Sequence, residues 1–166
     1  MNLAYGAYTA MTVTNLQSLA SSATAGWRSA QVDNQTSVKA IDYEIVVKLT
    51  TANTAPANDK AAYVYLVPAT TTDGGTTWLI ADQGTATLPT TSEGTTTIAA
   101  PNSLKLLGVL PYATAAMTMQ SVFNVSAAMG GQSMPDGFSL IIINFTGAAL
   151  STSCVVSYRA ITATIA

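Results

Sequence analysis

The 166-residue sequence predicts a single all-β domain, a β-sandwich with jelly-roll connections. Three observations support this fold class. Residues 41–49 alternate between apolar and polar side chains, which is the period of a half-buried strand. The stretches between the predicted strands are dense in Thr, Gly and Pro, which favour pleated strands and turns. No segment has the apolar period of a long amphipathic helix, so we expect at most one or two short helices.

The best-defined predicted strand comprises residues 41–49. Its apolar face carries Ile41, Tyr43, Ile45, Val47 and Leu49, and its polar face carries Asp42, Glu44 and Lys48. The next strand, KAAYVYLVPA at 60–69, is rich in aromatic and β-branched residues and should stop at Pro68. A glycine-containing turn at 73–75 then precedes a short strand, WLIA, at 78–81.

The later strands are predicted from composition and apolar content. Residues 84–101 are too dense in Thr, Gly and Pro for a helix and predict short strands and loops. The segment GFSLIIINFTGAAL, at 137–150, predicts a buried strand that ends at Gly147. STSCVVSYRAITATIA, at 151–166, predicts a final strand that runs to the last residue. We therefore expect about eight strands, arranged in two sheets.

The short helices are predicted between residues 101 and 135. Asn102 or Ser103 is expected to cap a helical turn that runs through Leu107. Residues 121–129 are expected to form a second short helix, which the glycines at 130–131 end.

The N-terminal segment has no obvious place in such a sandwich. We divide the chain into an extended apolar arm, residues 1–16, and a sandwich domain, residues 17–166. Residues 1–25 lack the basic start of a signal peptide, and Asn15 and Gln17 interrupt their apolar run. We expect it to become ordered by packing on a neighbouring subunit. The residues predicted to contact that neighbour are Leu3, Tyr5, Tyr8, Met11, Trp27 and Arg28.

Trp27 and Arg28 also have an alternative interpretation, as residues at the rim of a sheet. In that case the indole closes the end of the core, and the guanidinium reaches carboxylate or carbonyl groups nearby. Asp33 and Asn34 then form the turn before the strand that begins near residue 41.

Composition argues against several classes of function. Only 8% of the residues are charged, against about 25% in typical proteins, and the net charge is −2. A surface with so little charge is typical of a protein that works within an assembly. Six scattered basic residues give no patch for nucleic acid, and the longest apolar run is too short to span a membrane. The single cysteine, Cys154, excludes an intrachain disulfide and is predicted to be a small buried apolar residue.

Few residues suggest chemistry. Asp42 and Glu44 project from the same strand face, as paired carboxylates or metal ligands do, although a solvated face explains them more simply. Ser133 in GGQSMP lacks the glycine of a nucleophile elbow, since Pro135 follows Met134, and the chain has no histidine to activate a serine. We therefore expect no enzyme activity, no metal and no cofactor.

Two further sets of residues have weaker functional interpretations. The N-glycosylation sequons that begin at Asn34, Asn124 and Asn144 are interpreted as chance matches to the motif. A carbohydrate-binding platform of aromatic side chains is an alternative to core and interface positions for Tyr5, Tyr8, Trp27, Tyr63, Tyr65, Trp78 and Tyr112.

Two stretches carry a resemblance to known proteins. The first contains Leu19-Ala20-Ser21-Ser22, Trp27, Val32-Asp33-Asn34 and the strand YEIVVKLTT. The second contains Phe123, Gly130-Gly131, Met134-Pro135, the strand Leu140 to Ile143, and Asn144 to Leu150. In the proteins that these stretches resemble, an aromatic residue, often tryptophan, occupies the position of Phe138. In order and spacing these stretches, within residues 18–50 and 110–166, resemble small structural proteins of tailed bacteriophages. The resemblance implies a β-sandwich component of the virion, such as a capsid decoration or cement protein, and no catalytic residue.

Two functions from different classes follow. The first is a non-enzymatic virion protein, made in the host cytoplasm, that decorates or cements the capsid surface as a homotrimer. Its partners would be the major capsid protein and copies of itself, with neither nucleic acid nor membrane. The alternative is a tail, fibre or glycan-binding β-sandwich module, which would present an exposed row of aromatic side chains.

Overall fold

The computed structural model describes residues 2–36, 39–56, 60–80, 92–98 and 104–164. Nearly all of the regular structure in these ranges is β-strand. The strands are β1 (Asn2–Tyr5), β2 (Thr9–Ala10), β3 (Ala25–Arg28), β4 (Val32–Asp33), β5 (Asp42–Thr50), β6 (Ala61–Thr71), β7 (Trp78–Ile80), β8 (Gly94–Thr97), β9 (Lys105–Pro111), β10 (Thr118–Asn124), β11 (Gly137–Phe145) and β12 (Val155–Thr164). One short helix, α1, comprises Val125–Ala128 in these ranges.

The strands form two antiparallel sheets. The first sheet has five strands in the order β1-β12-β5-β10, with β2 also paired to β12. The second has seven, in the order β7-β6-β11-β3-β8, with β4 paired to β11 and β9 paired to β6. The chain passes from one sheet to the other between β2 and β3, between β4 and β5, between β5 and β6, and at each connection from β9 to β12. The predicted all-β sandwich is confirmed, and it is built by repeated crossings between the sheets.

The alternation predicted for residues 41–49 is confirmed along β5. Tyr43, Ile45, Val47 and Leu49 are buried between the sheets, and Asp42, Glu44 and Lys48 face outward. Ile41 is the exception, since it precedes the strand and is 45% exposed. A period of two therefore identified the buried face but not the residue at which pairing begins.

Strand β6 continues past Pro68 to Thr71, so the predicted stop at the proline is wrong. On one side residues 61–69 of β6 pair with β11. On the other side β9 pairs with residues 61–66 and β7 with residues 69–71. Pro68 lies in the gap between these two neighbours, where a strand tolerates a residue without an N–H group.

Strand β11 is buried on both of its faces. Phe138, Leu140 and Ile142 pack into the main core between the sheets. Ile141 and Ile143 point the other way and pack with Val67, Ile98 and the neighbouring tyrosines in a second apolar cluster. This explains the continuous apolar run LIII, because a strand covered on both faces does not alternate. The prediction of a buried strand here is confirmed, although the strand ends at Phe145 rather than at Gly147.

The single helix of the described ranges agrees with the expectation of at most one or two short helices, but its bounds differ from those predicted and the other predicted turn is replaced by strand. Residues 102 and 103, the predicted caps, lie outside the described residues, and the segment through Leu107 is part of strand β9. In the second region, residues 121–124 belong to β10 and only residues 125–128 are helical. The pairing of β9 with β6 and of β10 with β5 makes these residues strands, because tertiary contacts override weak local propensity. The two glycines that follow α1 have positive φ angles, as expected at a helix end.

The structure also bears on the predicted burial of the single cysteine and on membrane-spanning segments. Cys154 is buried, as predicted, and burial raises the pKa of its thiol. Within the described ranges, no helix has the length and apolar content needed to cross a membrane.

Gly26 is a position where two strands approach too closely for a side chain. A Cβ atom at Gly26 in β3 would lie 2.7 Å from the carbonyl oxygen of Ile142 in β11, a backbone atom that cannot swing aside. We expect Gly26→Ala to lower the free energy of unfolding by about 1–3 kcal/mol, as overpacking does. Gly6→Ala is the control, because its Cβ would lie 3.4 Å from the nearest atom. Equal losses for both variants in chemical denaturation would contradict this account.

Candidate assembly surfaces

The N-terminal segment is part of the first sheet. Residues of β1 pair with β12 in the register Asn2 to Thr164 through Tyr5 to Ile161, and β2 pairs with β12 further along. The amide groups of Gly6 and Met11 donate to carbonyl oxygens of β12 at 2.9 Å. The expectation of an arm with no place in the sandwich is therefore corrected, because the free edge of β12 supplies its backbone partners.

The division of the chain after residue 16 also differs from the structure. Leu16 is completely buried in the main core, and Met11 and Val13 are half-buried against it. Residues 2–10, by contrast, are all exposed. The surface segment thus ends near residue 10, and the residues that follow it anchor the chain in the sandwich.

The outer end of this segment forms a two-stranded ribbon, which we call the edge ribbon: β1 and residues 162–164 of β12. Strand β5 begins at Asp42, opposite Ile161, so among the described residues this end of β12 is paired with β1 alone. Every residue of β1 is exposed, including Leu3 at 51% and Tyr5 at 56%. Two-stranded ribbons are marginally stable in water. The edge ribbon is therefore a surface that gains stability when another element covers it.

An arginine and two tyrosines hold the segment on the sheet. The guanidinium of Arg159 lies 4.7 Å from the ring centres of both Tyr5 and Tyr8. It also forms an ion pair with Glu44 at 2.8 Å, and the hydroxyl of Tyr8 donates a hydrogen bond to the same carboxylate. That hydrogen bond to Glu44 raises the pKa of the Tyr8 phenol. Side chains of β5 and β12 thereby hold the segment on the sheet, in addition to its backbone pairing with β12.

The carboxylates of Asp42 and Glu44 do not act as a pair. Glu44 contacts Arg159 and Tyr8, whereas Asp42 accepts hydrogen bonds from Asn124 Nδ2 at 3.0 Å and from the amide and hydroxyl of Ser126 at 2.9 and 2.7 Å. Both residues are half-buried, so the expected solvated face is only partly correct. Across the described ranges, no three His, Cys, Asp or Glu side chains are grouped so as to hold a metal ion.

Trp27 and Arg28 are internal residues. Trp27 is completely buried, and its indole Nε1 donates to Glu93 at 2.5 Å. The same carboxylate accepts from the Asn15 amide and side chain at 3.0–3.2 Å. Arg28 is 4% exposed and donates from Nη2 to the carbonyl of Ser92 at 2.8 Å; burial lowers its pKa. Their predicted place at a subunit interface is wrong. The alternative is correct in that the Arg28 guanidinium reaches a carbonyl group, but β3 lies between β11 and β8 rather than at the rim of its sheet.

The seven aromatic residues do not form one row. Trp27 and Tyr112 are buried in the main core, and Trp78 is half-buried beside Gly137. Tyr63 and Tyr65 stack at 6.4 Å on the second sheet, while Tyr5 and Tyr8 contact Arg159 on the first. The carbohydrate platform predicted as an alternative is therefore not assembled from this set.

The outer face of the second sheet carries an apolar surface that the sequence did not indicate. Leu106 and Val109 in β9 lie opposite Tyr65 and Tyr63 in β6, and residues opposite each other point to the same face. These four residues form what we call the tyrosine face; Leu106 is 51% and Val109 44% exposed. A β-bulge in β9 places both aliphatic side chains on one face although they are three residues apart. Because of that bulge, simple alternation could not have located this face.

The sequons are buried or partly buried. Asn144 is completely buried and Asn34 nearly so, while Asn124 is half-buried and bonded to Asp42. These side chains have structural hydrogen bonds, which agrees with treating the sequons as chance.

Comparisons with known proteins do not identify a family for this chain. No protein-family model matches it, and no curated protein is found to be similar.

Proposed function

We propose that this chain is a non-enzymatic structural protein of a tailed-phage virion, which decorates or cements the capsid shell through contacts between subunits. The observation that carries the proposal is the amount of apolar side chain left uncovered on a surface with very little charge. Large apolar residues that are 44–56% exposed occur in β1, β7, β9, β10 and β12. The resemblance of residues 18–50 and 110–166 to phage structural proteins supports the same function.

The position of these side chains favours protein contacts. Leu106 and Val109 adjoin the stacked Tyr63 and Tyr65, and a groove of about 510 Å³ continues from Tyr63 and Val109 towards Met117 and Met119. Aromatic and methionine side chains are typical of the buried centres of interfaces, where charged residues are depleted. Among the described residues that line this groove, only Lys60 is charged. We assign the tyrosine face to the contact with the shell.

The test is binding to capsids of the encoding phage from which this protein is absent. We expect the native chain to bind them and the double variant Leu106→Lys/Val109→Lys to bind at least about tenfold more weakly, because two charges would be buried. The matched control is Leu79→Lys, since Leu79 is 56% exposed but belongs to β7, at the other end of β6. It should bind like the native chain.

Purified virions provide the second measurement. Mass spectrometry should find the protein in separated heads, in hundreds of copies rather than a handful, because a shell is covered by repeated contacts. Absence from virions would refute the proposed function. Equal binding by the native chain and the double variant would refute the role of the tyrosine face.

A further inference from the structure

The outer edge of β1 carries backbone groups that lack strand partners. Strand β1 pairs with β12 on one side, and no other described strand pairs with it on the second side. An edge of this kind presents a row of N–H and C=O groups that a further strand can extend.

Three of the usual protections of an edge strand, namely charged side chains, proline and a bulge, are missing from this one. Residues 1–27 contain no Asp, Glu, Lys, Arg or Pro. The register from Asn2 to Tyr5 is continuous, without a bulge that would twist the edge away. Arg159, which contacts Tyr5, is paired with Glu44 at 2.8 Å, so that its charge is compensated within the subunit. Two such edges can therefore approach each other without electrostatic repulsion.

From these observations we infer that β1 pairs with β1 of a second copy, antiparallel, across a two-fold axis through Ala4. A two-fold axis perpendicular to the sheet keeps the faces of the two strands aligned, and opposite residues share a face. In the register centred on Ala4, Leu3 lies opposite Tyr5 of the second copy, and Tyr5 lies opposite its Leu3. Both pairs fall on the face where the ring of Tyr5 contacts Arg159.

A second copy fits this edge because the strand complements itself. Leu3 and Tyr5 are 51% and 56% exposed. In this register Leu3 of each copy is covered by Tyr5 of the other copy. Aliphatic–aromatic cross-strand pairs are stabilising. The edge ribbon, marginal in one chain, becomes the centre of a continuous sheet through both subunits. The expected homotrimer is replaced by a two-fold dimer in this inference.

The contact is short, since β1 has four residues. We therefore expect a weak dimer whose population rises with concentration, and which repeated binding on a shell would reinforce. In this respect the inference deepens the proposed function by naming the contact between copies. The dimer itself does not depend on any capsid, so it is tested with the isolated chain.

The experiment is disulfide trapping with Ala4→Cys in a Cys154→Ala background. Opposite residues of paired antiparallel strands have Cα atoms about 4.5–5.5 Å apart, which a disulfide can span. Ala7→Cys is the matched control, because Ala7 is an exposed alanine three residues away, outside the strand. Under mild oxidation we expect Ala4→Cys to form covalent dimers at least about tenfold faster than Ala7→Cys, owing to its higher effective concentration.

A third variant tests the register. Adding Leu3→Lys and Tyr5→Lys to Ala4→Cys should reduce the rate of dimer formation to that of the control, because like charges would then crowd the edge. Equal rates for Ala4→Cys and Ala7→Cys, or a fast rate that survives the lysine substitutions, would overturn the inference. Either result leaves capsid binding through the tyrosine face to be judged by its own experiment.

Discussion

Trp27→Ala is expected to lower the free energy of unfolding by about 3–5 kcal/mol, the cost of removing a large aromatic side chain from a core. Trp27 is completely buried in β3, and its substitution would leave a cavity in the main cluster. It would also remove the hydrogen bond from the indole to Glu93, whose carboxylate joins β3 to Asn15. Chemical denaturation followed by circular dichroism measures the loss.

Trp78→Ala is the matched control for this substitution. Trp78 is the only other tryptophan, and it is half-buried in β7 beside Gly137. Its removal exposes less new surface and opens no closed cavity, so the loss should be clearly smaller. A larger loss for Trp78→Ala than for Trp27→Ala would show that Trp27 does not close the core.

Asn144→Ala is the second substitution with a large expected effect, about 2–4 kcal/mol. Asn144 is completely buried at the end of β11, where its amide donates to the carbonyls of Leu19 and Ala148 at 2.9 and 2.8 Å. Its side-chain oxygen accepts from the amide and hydroxyl of Thr146 at 3.2 and 2.7 Å. Alanine would leave buried polar groups without these partners, and water could not easily replace them.

Asn124→Ala is the corresponding control for an asparagine near the surface. Asn124 is half-buried and donates one hydrogen bond, to Asp42 at 3.0 Å. We expect a loss of about 1 kcal/mol, the usual net value of a single hydrogen bond. If Asn144→Ala were no more destabilising than Asn124→Ala in urea titrations, the network around Asn144 would not hold the chain near Leu19 to β11.

The predicted interface residues divide by their position along the chain. Leu3, Tyr5 and Tyr8 are exposed as an interface requires, although their contact with another subunit stays a prediction. Arg159, which lies against both tyrosines, was not identified because it is more than 150 residues away in sequence. Pairing between β1 and β12 brings these residues together, and no local pattern reports such pairing.

By itself the sequence determined the fold class, the buried face of β5, the buried strand β11 and the burial of Cys154. Each follows from local physics, since a strand alternates its faces and apolar residues leave water. Only the tertiary structure decided that residues 105–111 form a strand, that β6 continues through Pro68, and that residues 2–10 lie on β12. Those outcomes depend on which distant strand supplies backbone hydrogen bonds, and that choice is made by the assembled sheet rather than by the segment.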